Sequence, residues 1–506
     1  MTILSQQRIR QFVNADAASL DEEKDELDSL LKKSFRPMTS EASSAVRQSI
    51  NTLVSHVNKY SVRVNQDILF TIQSVIADID EKLSQQMNAI IHHEKFKSLE
   101  ASWRGLSHLV DNTNVSETLK IRVLNITQSE LMASLRRFRG ASWDQSPIFK
   151  QIYEMEYGQF GGEPFGCLIG DYAFDHSPAS VMLLSEIAKI AAASHCPFIT
   201  SASPALMQMN SWSELGNPRD IGKIFTTPEY AAWRRLRESN DARYIVLTMP
   251  RFMARLPYGA KTCPVDDFAF DETINPNNDE DFVWSNAAYA MGVNIHRAFH
   301  EYGWCSRIRG IESGGSVEEL PAYSFPSEEG GTELTCPTEV AISDRREQEL
   351  SDAGFLPLVY RKHSDFAAFI GSCTLHAPKN YEDADATANA RLSARLPYIF
   401  ATCRFAHYLK CIVRDKIGSF RSRTEMQVWL NDWLMNYVDG DPSVSTEATK
   451  ARRPLAAAEV NVEDVPDDPG YYRAHFYLRP HYQLEGMTVS LRLVSKLPSA
   501  RKDGEQ

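Results

Sequence analysis

Cys403, His407 and Cys411 are residues whose types suit a metal ion. They recur at i, i+4 and i+8, and each step drifts by about 40° around a helix, so the three share one stripe. A His and a Cys four residues apart can reach a common ion. The two outer thiols, however, lie about 12 Å apart at a rise of about 1.5 Å per residue, while a zinc–thiolate bond is only about 2.3 Å long. Small cysteines buried on the inner face of a helix fit the spacing better. The cluster Gly158-Gln159-Phe160-Gly161-Gly162-Glu163-Pro164 invites comparison with a phosphate loop. It lacks a following Lys-Ser/Thr, precedes a strand signal instead of joining strand to helix, and carries a bulky Phe160 and an acidic Glu163, so a turn is expected. His195 beside Cys196 makes no dyad through adjacency alone, and no Gly-x-Ser-x-Gly elbow occurs. Asp344 and Asp365 are ordinary carboxylates in an acidic chain. Arg234-Arg235-Leu236-Arg237 and Arg345-Arg346 read as solvated faces or ion-pair partners before anion sites. The expectation is a protein with no catalytic, cofactor or metal site.

The whole chain fits that expectation. Its 506 residues suffice for two or three domains. With 43% apolar and 24% charged residues it has the balance of a globular protein. A net charge of -12 disfavours nucleic acid, whose phosphates need clustered Lys and Arg. The run Met1–Arg8 shows no basic stretch leading into an apolar core, so no signal peptide is read. No apolar run approaches the roughly 18 residues that would call for a membrane span. Eight cysteines without close paired spacings suit a reducing compartment. A soluble cytoplasmic protein is expected.

The elements begin with helices. Leu27, Leu30, Leu31 and Phe35 recur at helical spacing in an acidic segment. After Pro37, Thr39-Ser40-Glu41 introduces a second pattern with Val46, Ile50, Leu53, Val54 and Val57 on one stripe. A third runs through Ile68, Ile72, Val75, Ile79, Leu83, Met87 and Ile90, close to a heptad seam. Three narrow stripes ahead of any strand pack either on the globular body or on another chain's helices. Phe96, Leu99, Trp103, Leu106 and Leu109 predict a further helix, and Leu119-Lys120-Ile121-Arg122-Val123 a half-buried strand. Short buried strands at Phe165–Gly170 and Arg243–Leu247, with helical runs at Val181–Ser194, Glu229–Ser239 and Phe282–Tyr302, indicate an α/β domain. The Gly- and Pro-rich stretch Gly310–Pro337 marks a boundary. Beyond it come a strand-like Glu339–Ser343, helices over Ala394–Ile417 and Thr424–Val438, and an exposed Asp439–Pro454. Val428–Leu434 is mostly core, with aromatic residues that can serve a partner. The fold class is a mixed α/β (α+β) protein: a helical region over 1–93, an α/β domain over 94–312, and a C-terminal α/β domain over 313–506.

The tail carries the clearest alternation. Tyr472, Ala474, Phe476 and Leu478 alternate with polar residues, and so do Met487, Val489, Leu491 and Leu493 past Gly486. Two strands alone are marginal in water. Their partner is either the Val460-Asn461-Val462 region of the same chain or a strand from another subunit.

Six segments resemble signatures of one family: Leu99-Glu100-Ala101-Ser102-Trp103-Arg104-Gly105-Leu106, Glu156–Pro164, Leu256-Pro257-Tyr258-Gly259-Ala260-Lys261, Tyr302–Gly310, Ala406-His407-Tyr408-Leu409-Lys410 and Leu478–Leu484. They are similar to the large subunit of the type VI secretion contractile sheath, the TssC or VipB family, from about Glu94 to Pro498. The resemblance implies a structural, non-enzymatic protein of the bacterial cytosol, in a sheath docked on a membrane-anchored baseplate. It implies pairing with a small sheath subunit (TssB or VipA) into a helical polymer around an Hcp inner tube, and disassembly by the AAA+ ATPase ClpV. Carried over, it places ClpV binding at Asp25, Glu26, Leu27, Asp28, Leu30 and Leu31. Val46, Ile50, Leu53, Val57, Ile72, Val75, Ile79 and Leu83 would pair with the small subunit. Tyr472, Phe476, Leu478, Met487, Val489, Leu491 and Leu493 would join an intersubunit sheet, with Pro466-Asp467-Asp468-Pro469-Gly470 as a flexible connector. Arg421, Arg423, Glu425 and Gln427 would face the inner tube. An α/β enzyme with an unfamiliar site, or the sheath of a related phage-like injection system, are the competing classes. An enzyme would be discrete alone, whereas a two-component sheath subunit would need its partner.

Overall fold

The computed structural model describes residues 44–45, 48–49 and 52, and then 68–481 except 217–219, 267, 277, 327–330, 363, 417–422 and 465–471. Two compact units emerge, one of Met1–Lys97 with Leu256–Asp281, the other of Ser98–Arg255 with Phe282–Gln506.

In the first unit the heptad-like run forms one long helix, α1 (Ile68–Ile91). The 256–281 excursion holds its end. Asn88 Oδ1 accepts from the Thr273 amide at 3.0 Å, and His92 Nε2 lies 3.2 Å from the nearly buried carboxylate of Glu272. That carboxylate also accepts from the Tyr258 amide at 2.9 Å.

The next helix, α2 (Glu94–Asp111), enters the second unit at Ser98. The scaffold there is a six-stranded sheet: β1 (Leu168–Phe174), β2 (Phe198–Ala202), β3 (Ile245–Met249), β4 (Ser316–Val317), β5 (Phe355–Tyr360) and β6 (Ala367–Phe369), in the order β1-β2-β3-β5-β6-β4. The first four in that order run parallel, while β6 is antiparallel to both β5 and β4. Strand side chains alternate between faces, and β3 shows the result. Ile245, Leu247 and Met249 belong to one core, with α3 (Pro178–Ser194) and Phe355; Val246 belongs to the other, with α4 (Ala287–Tyr302), Ile199 and Leu356. A parallel sheet covered on both faces reads as continuous apolar runs, as these strands do.

The helices have local reasons to start and stop. Ser177 caps α3 by accepting from the Ser180 amide at 3.3 Å, with Pro178 in the first turn. The Asn286 side chain accepts from the Ala288 amide at 2.9 Å and opens α4, which ends at Gly303 with φ +76°. Gly292 in α4 has no room for a side chain, since a Cβ would meet Ile169 Cδ1 at 2.5 Å. Gly105 likewise brings α2 against Ser285 and Tyr289.

A buried ion pair fixes α2. Arg255, 8% exposed, donates through Nε to Glu100 Oε1 at 2.6 Å and through Nη2 to Oε2 at 3.3 Å; Arg104 Nε adds a third bond at 2.7 Å. Burial pushes the Glu100 carboxyl up, but the hydrogen bonds from Arg255 and Arg104 outweigh it and hold it below its ordinary value. Glu100→Ala removes one member of this buried pair and is expected to lower stability by about 3–5 kcal/mol. Urea unfolding of the full chain measures this, and a loss below about 1 kcal/mol would contradict it.

Several boundaries differ from those the sequence suggested. Leu119–Val123 belongs to no helix and joins no sheet. Lys120 pairs with Glu163, Arg122 pairs with Glu156, and Val123 is exposed. The alternation there reflects two ion pairs on one side and the half-buried Ile121 on the other, with no ladder partner. Glu339–Ser343 is also irregular, anchored by the paired bonds from Arg251 to Glu339 at 2.9 and 2.6 Å. The sheet runs past the boundary expected at 312/313, because β5 pairs with β3 and is followed in the sheet by β6 and β4. Phe355–Tyr360 carries no clear strand signal because Pro357 interrupts its pattern, yet Pro357 lies in the parallel ladder opposite Met249.

Candidate functional site

The most distinctive surface belongs to a C-terminal lobe. Helix α5 (Leu396–Asp415) and helix α6 (Arg423–Met435) carry a two-stranded antiparallel sheet, β7 (Leu455–Asp464) and β8 (Tyr472–Pro480). The register sets Val460 opposite Phe476, Ala458 opposite Leu478 and Val462 opposite Ala474. Those residues turn one face of the sheet onto Phe405 and Leu409 of α5, Leu430 and Leu434 of α6, and Trp304. Aromatic rings dominate this core: Trp304 lies 4.5 Å from Phe405, which lies 5.6 Å from Tyr437. The opposite face is wet, with Tyr477 62% exposed.

This pairing settles where the tail strand goes within the chain. Tyr472–Leu478 is a strand, and its partner is the Val460–Val462 region. The sheet is still only two strands wide among the described residues. The Leu455 end of β7 is engaged by the Asp439 amide at 2.9 Å. A two-stranded ribbon keeps a row of backbone donors and acceptors on its outer edge.

A second surface runs along α1. Ile76, Ile79, Leu83, Met87 and Ile90 are 36–53% exposed and recur at three- and four-residue steps. That is an apolar seam of coiled-coil spacing on the outside of a helix. Ile72 and Val75 lie in the same helix.

The remaining sequence candidates fall as follows. Asp25, Glu26, Leu27, Asp28, Leu30, Leu31, Val46, Ile50, Leu53, Val57, Arg421, Met487, Val489, Leu491, Leu493 and the 466–470 connector lie outside the described residues. Arg423 opens α6 and Glu425 is exposed in its first turn. Gln427 is half-buried, and its Oε1 accepts from the Val462 amide at 3.4 Å. Cys403 and His407 are both 2% exposed on the inner face of α5, and burial pushes the Cys403 thiol well above its usual range. Gly158–Pro164 is a turn following Lys150–Tyr157, with Gly161 at φ +76° and Phe160 81% exposed. Arg234 and Arg237 donate to backbone carbonyls at Phe225, Thr227, Leu375 and Asp352, while Arg345 and Arg346 pair with Glu349. Among the described residues, no group of three or more His, Cys, Asp or Glu is placed to hold a metal ion, and no helix is long and apolar enough to cross a membrane.

These surfaces, an open β ribbon and an apolar helical seam, define a protein equipped for assembly. Comparison with known proteins gives the class. The EvpB/VC_A0108 tail sheath N-terminal domain matches residues 73–376, and the tail sheath gpW/gp25-like domain of the same family matches residues 385–497. The chain belongs to this contractile tail-sheath family, and its role is that of a structural sheath subunit. It is 61% identical over 488 residues to the type VI secretion system sheath protein TssC1 of Pseudomonas aeruginosa, covering 96% of this chain and 98% of that one. Among solved structures, the anti-feeding prophage baseplate aligns with 75% of this chain and 84% of its own at 11% identity and TM-score 0.38. A contracted extracellular injection-system sheath aligns with 60% and 68% at 10% identity and TM-score 0.30.

Proposed function

We propose that this chain is the large subunit of a two-component type VI secretion sheath, which pairs with a small sheath subunit and stacks into a helical tube around an Hcp inner tube. The observation that carries the reading is the two-strand ribbon of β7 and β8 seated on its own aromatic core. One face packs on that core, and among the described residues the sheet is only two strands wide. Strands from neighbouring subunits, including the neighbour's Met487–Leu493, would complete it by edge addition. Backbone ladder bonds tolerate rotation of the bodies they join, provided the connector at 466–470 absorbs the motion. Rings can then slide during contraction without parting.

Contraction in this scheme needs no active site in the chain, because work comes from the free-energy difference between two packings. Sheath and tube sit in the bacterial cytosol on a membrane-anchored baseplate. Residues 1–93 form the outer helical region, where the seam Ile72, Val75, Ile79 and Leu83, with Val46, Ile50, Leu53 and Val57, packs against small-subunit helices. Arg421, Arg423 and Glu425 lie toward the inner tube. The segment Asp25–Leu31 is the handle for ClpV once the sheath has contracted.

Co-expression with a small sheath subunit tests the reading: the pair should sediment as polymer and the chain alone should not form tubes. A pair that remains a discrete soluble species would overturn it. The ClpV assignment has its own test. Leu30→Asp with Leu31→Asp should spare assembly and weaken capture of ClpV by contracted sheaths at least tenfold; undiminished capture would place the handle elsewhere.

A further inference from the structure

One place where the two family domains meet is a polar face of α5, beside apolar contacts in which Leu396 and Phe400 join a core of the α/β body and Trp304 joins that of the lobe. Phe405 and Leu409 turn into the C-terminal lobe, whereas His407, Lys410 and Arg414 turn toward the α/β body. His407 Nε2 lies 3.0 Å from the carbonyl of Ser194, the last residue of α3. A carbonyl only accepts, so Nε2 carries the proton and Nδ1 is the bare nitrogen. That Nδ1 is buried with no hydrogen-bond partner. Tyr157 stands edge-on to the imidazole, 5.2 Å between ring centroids, and His195 lies 6.4 Å away. Lys410 Nζ sits 3.8 Å above the Tyr157 ring and donates to Tyr153 Oη at 2.8 Å. Arg414 Nη1 donates to the Gln159 carbonyl at 2.6 Å.

The titratable groups facing this seam are Tyr153 and Tyr157 from the short π-helix Lys150–Tyr157, His195 and Cys196 from the end of α3, and Tyr244. From α5 itself come Cys403, Arg404, Lys410, Cys411 and Arg414. None of these is a carboxylate. The groups acting electrostatically on His407 are Arg404, His195 and Lys410, each of them a cation or a potential one. A proton placed on Nδ1 would meet no acceptor and the positive charges of Arg404 and Lys410.

We infer that this seam is an acid-released clasp: protonation of His407 parts the middle of α5 from the end of α3 and from Tyr157, a local opening that leaves the apolar contacts of Leu396 and Phe400 with the α/β body, and of Phe405 with Trp304, in place. Burial, the largest cause, together with Arg404, His195 and Lys410, holds the His407 pKa down to about 4, although the Ser194 carbonyl pulls the other way. Once the seam opens and water reaches the ring, the ordinary value near 6.5 returns. The sign follows. The closed seam is favoured above that ordinary value and loses ground as pH falls through 6.5 toward 4. Between pH 7 and pH 5 the opening equilibrium should rise about twentyfold. The clasp belongs to the single chain, so its failure leaves the sheath role untouched, and loss of the sheath role leaves the clasp standing.

Hydrogen exchange on the full chain at pH 7 and pH 5, corrected for intrinsic exchange rates, reads it directly. Peptides over 150–160 and 403–414 should lose protection about twentyfold, while Ile245–Met249 and Leu455–Asp464 keep theirs. His407→Gln keeps a donor for Ser194 without a titrating ring and should abolish the acid response. His195→Asn, which suits the left-handed backbone there (φ 51°), should preserve it. The inference is overturned if the wild-type seam stays protected at pH 5, if the reference strands open with it, or if His407→Gln responds like the wild type. An acid response lost in His195→Asn instead would also overturn it.

Discussion

A chain carrying Val489→Pro and Leu491→Pro is expected to fold normally yet form no sheath when co-expressed with its small subunit. In a strand the amides of residues two apart point to the same edge, so the pair removes two donors from one ladder. Each lost bond is worth about 1 kcal/mol net. About 2 kcal/mol at one junction weakens it roughly thirtyfold, and every subunit in the tube repeats the loss. The cores described above lie before residue 482, so the isolated chain should keep its wild-type unfolding transition. Val489→Ala with Leu491→Ala retains both amides and should assemble, which separates backbone pairing from side-chain packing. Negative-stain images of co-purified material decide the matter: full-length tubes from the proline variant would sink the strand-linkage account.

The second large effect concerns the platform beneath the ribbon. Phe405 is fully buried between Trp304 and Tyr437, and Trp433 lies 6.2 Å away. Phe405→Ala should cost about 3–5 kcal/mol, combining lost burial with the cavity left behind. The loss should fall on the C-terminal lobe, because the cores on the two faces of the six-stranded sheet do not include Phe405. Hydrogen exchange over β7 and α6 should quicken while β3 stays protected. A variant whose lobe exchanges like the wild type would mean that the aromatic cluster is not what holds the ribbon.

Much of this fold is legible in the residues, and the lapses have physical causes. The helices at Pro178–Ser194, Ala287–Tyr302 and Leu396–Asp415 follow from apolar periodicity with Ser177 and Asn286 as caps. The buried strands β1 and β3 show as short apolar runs. Leu119–Val123 misleads because ion pairing at Lys120 and Arg122 produces the same alternation as a half-buried strand. β5 is hidden by Pro357, which a parallel ladder accommodates at that position. The stripe of Cys403, His407 and Cys411 was visible as one face of a helix. Its partners, Ser194 and Tyr157, come from far away in the chain, and periodicity carries no information about them. The tail strand was equally visible, and the choice between partners inside and outside the chain was not. The structure supplies the inside partner, β7.

In the proposed sheath, β8 is finished by a strand of another subunit. A reconstruction of tubes assembled from this chain and a small sheath subunit, at a resolution that separates strands, tests it most directly. The predicted result is a sheet in which Tyr472–Pro480 lies between β7 and a strand of a neighbouring subunit. Well-ordered tubes in which Tyr472–Pro480 is flanked by Leu455–Asp464 alone would contradict it.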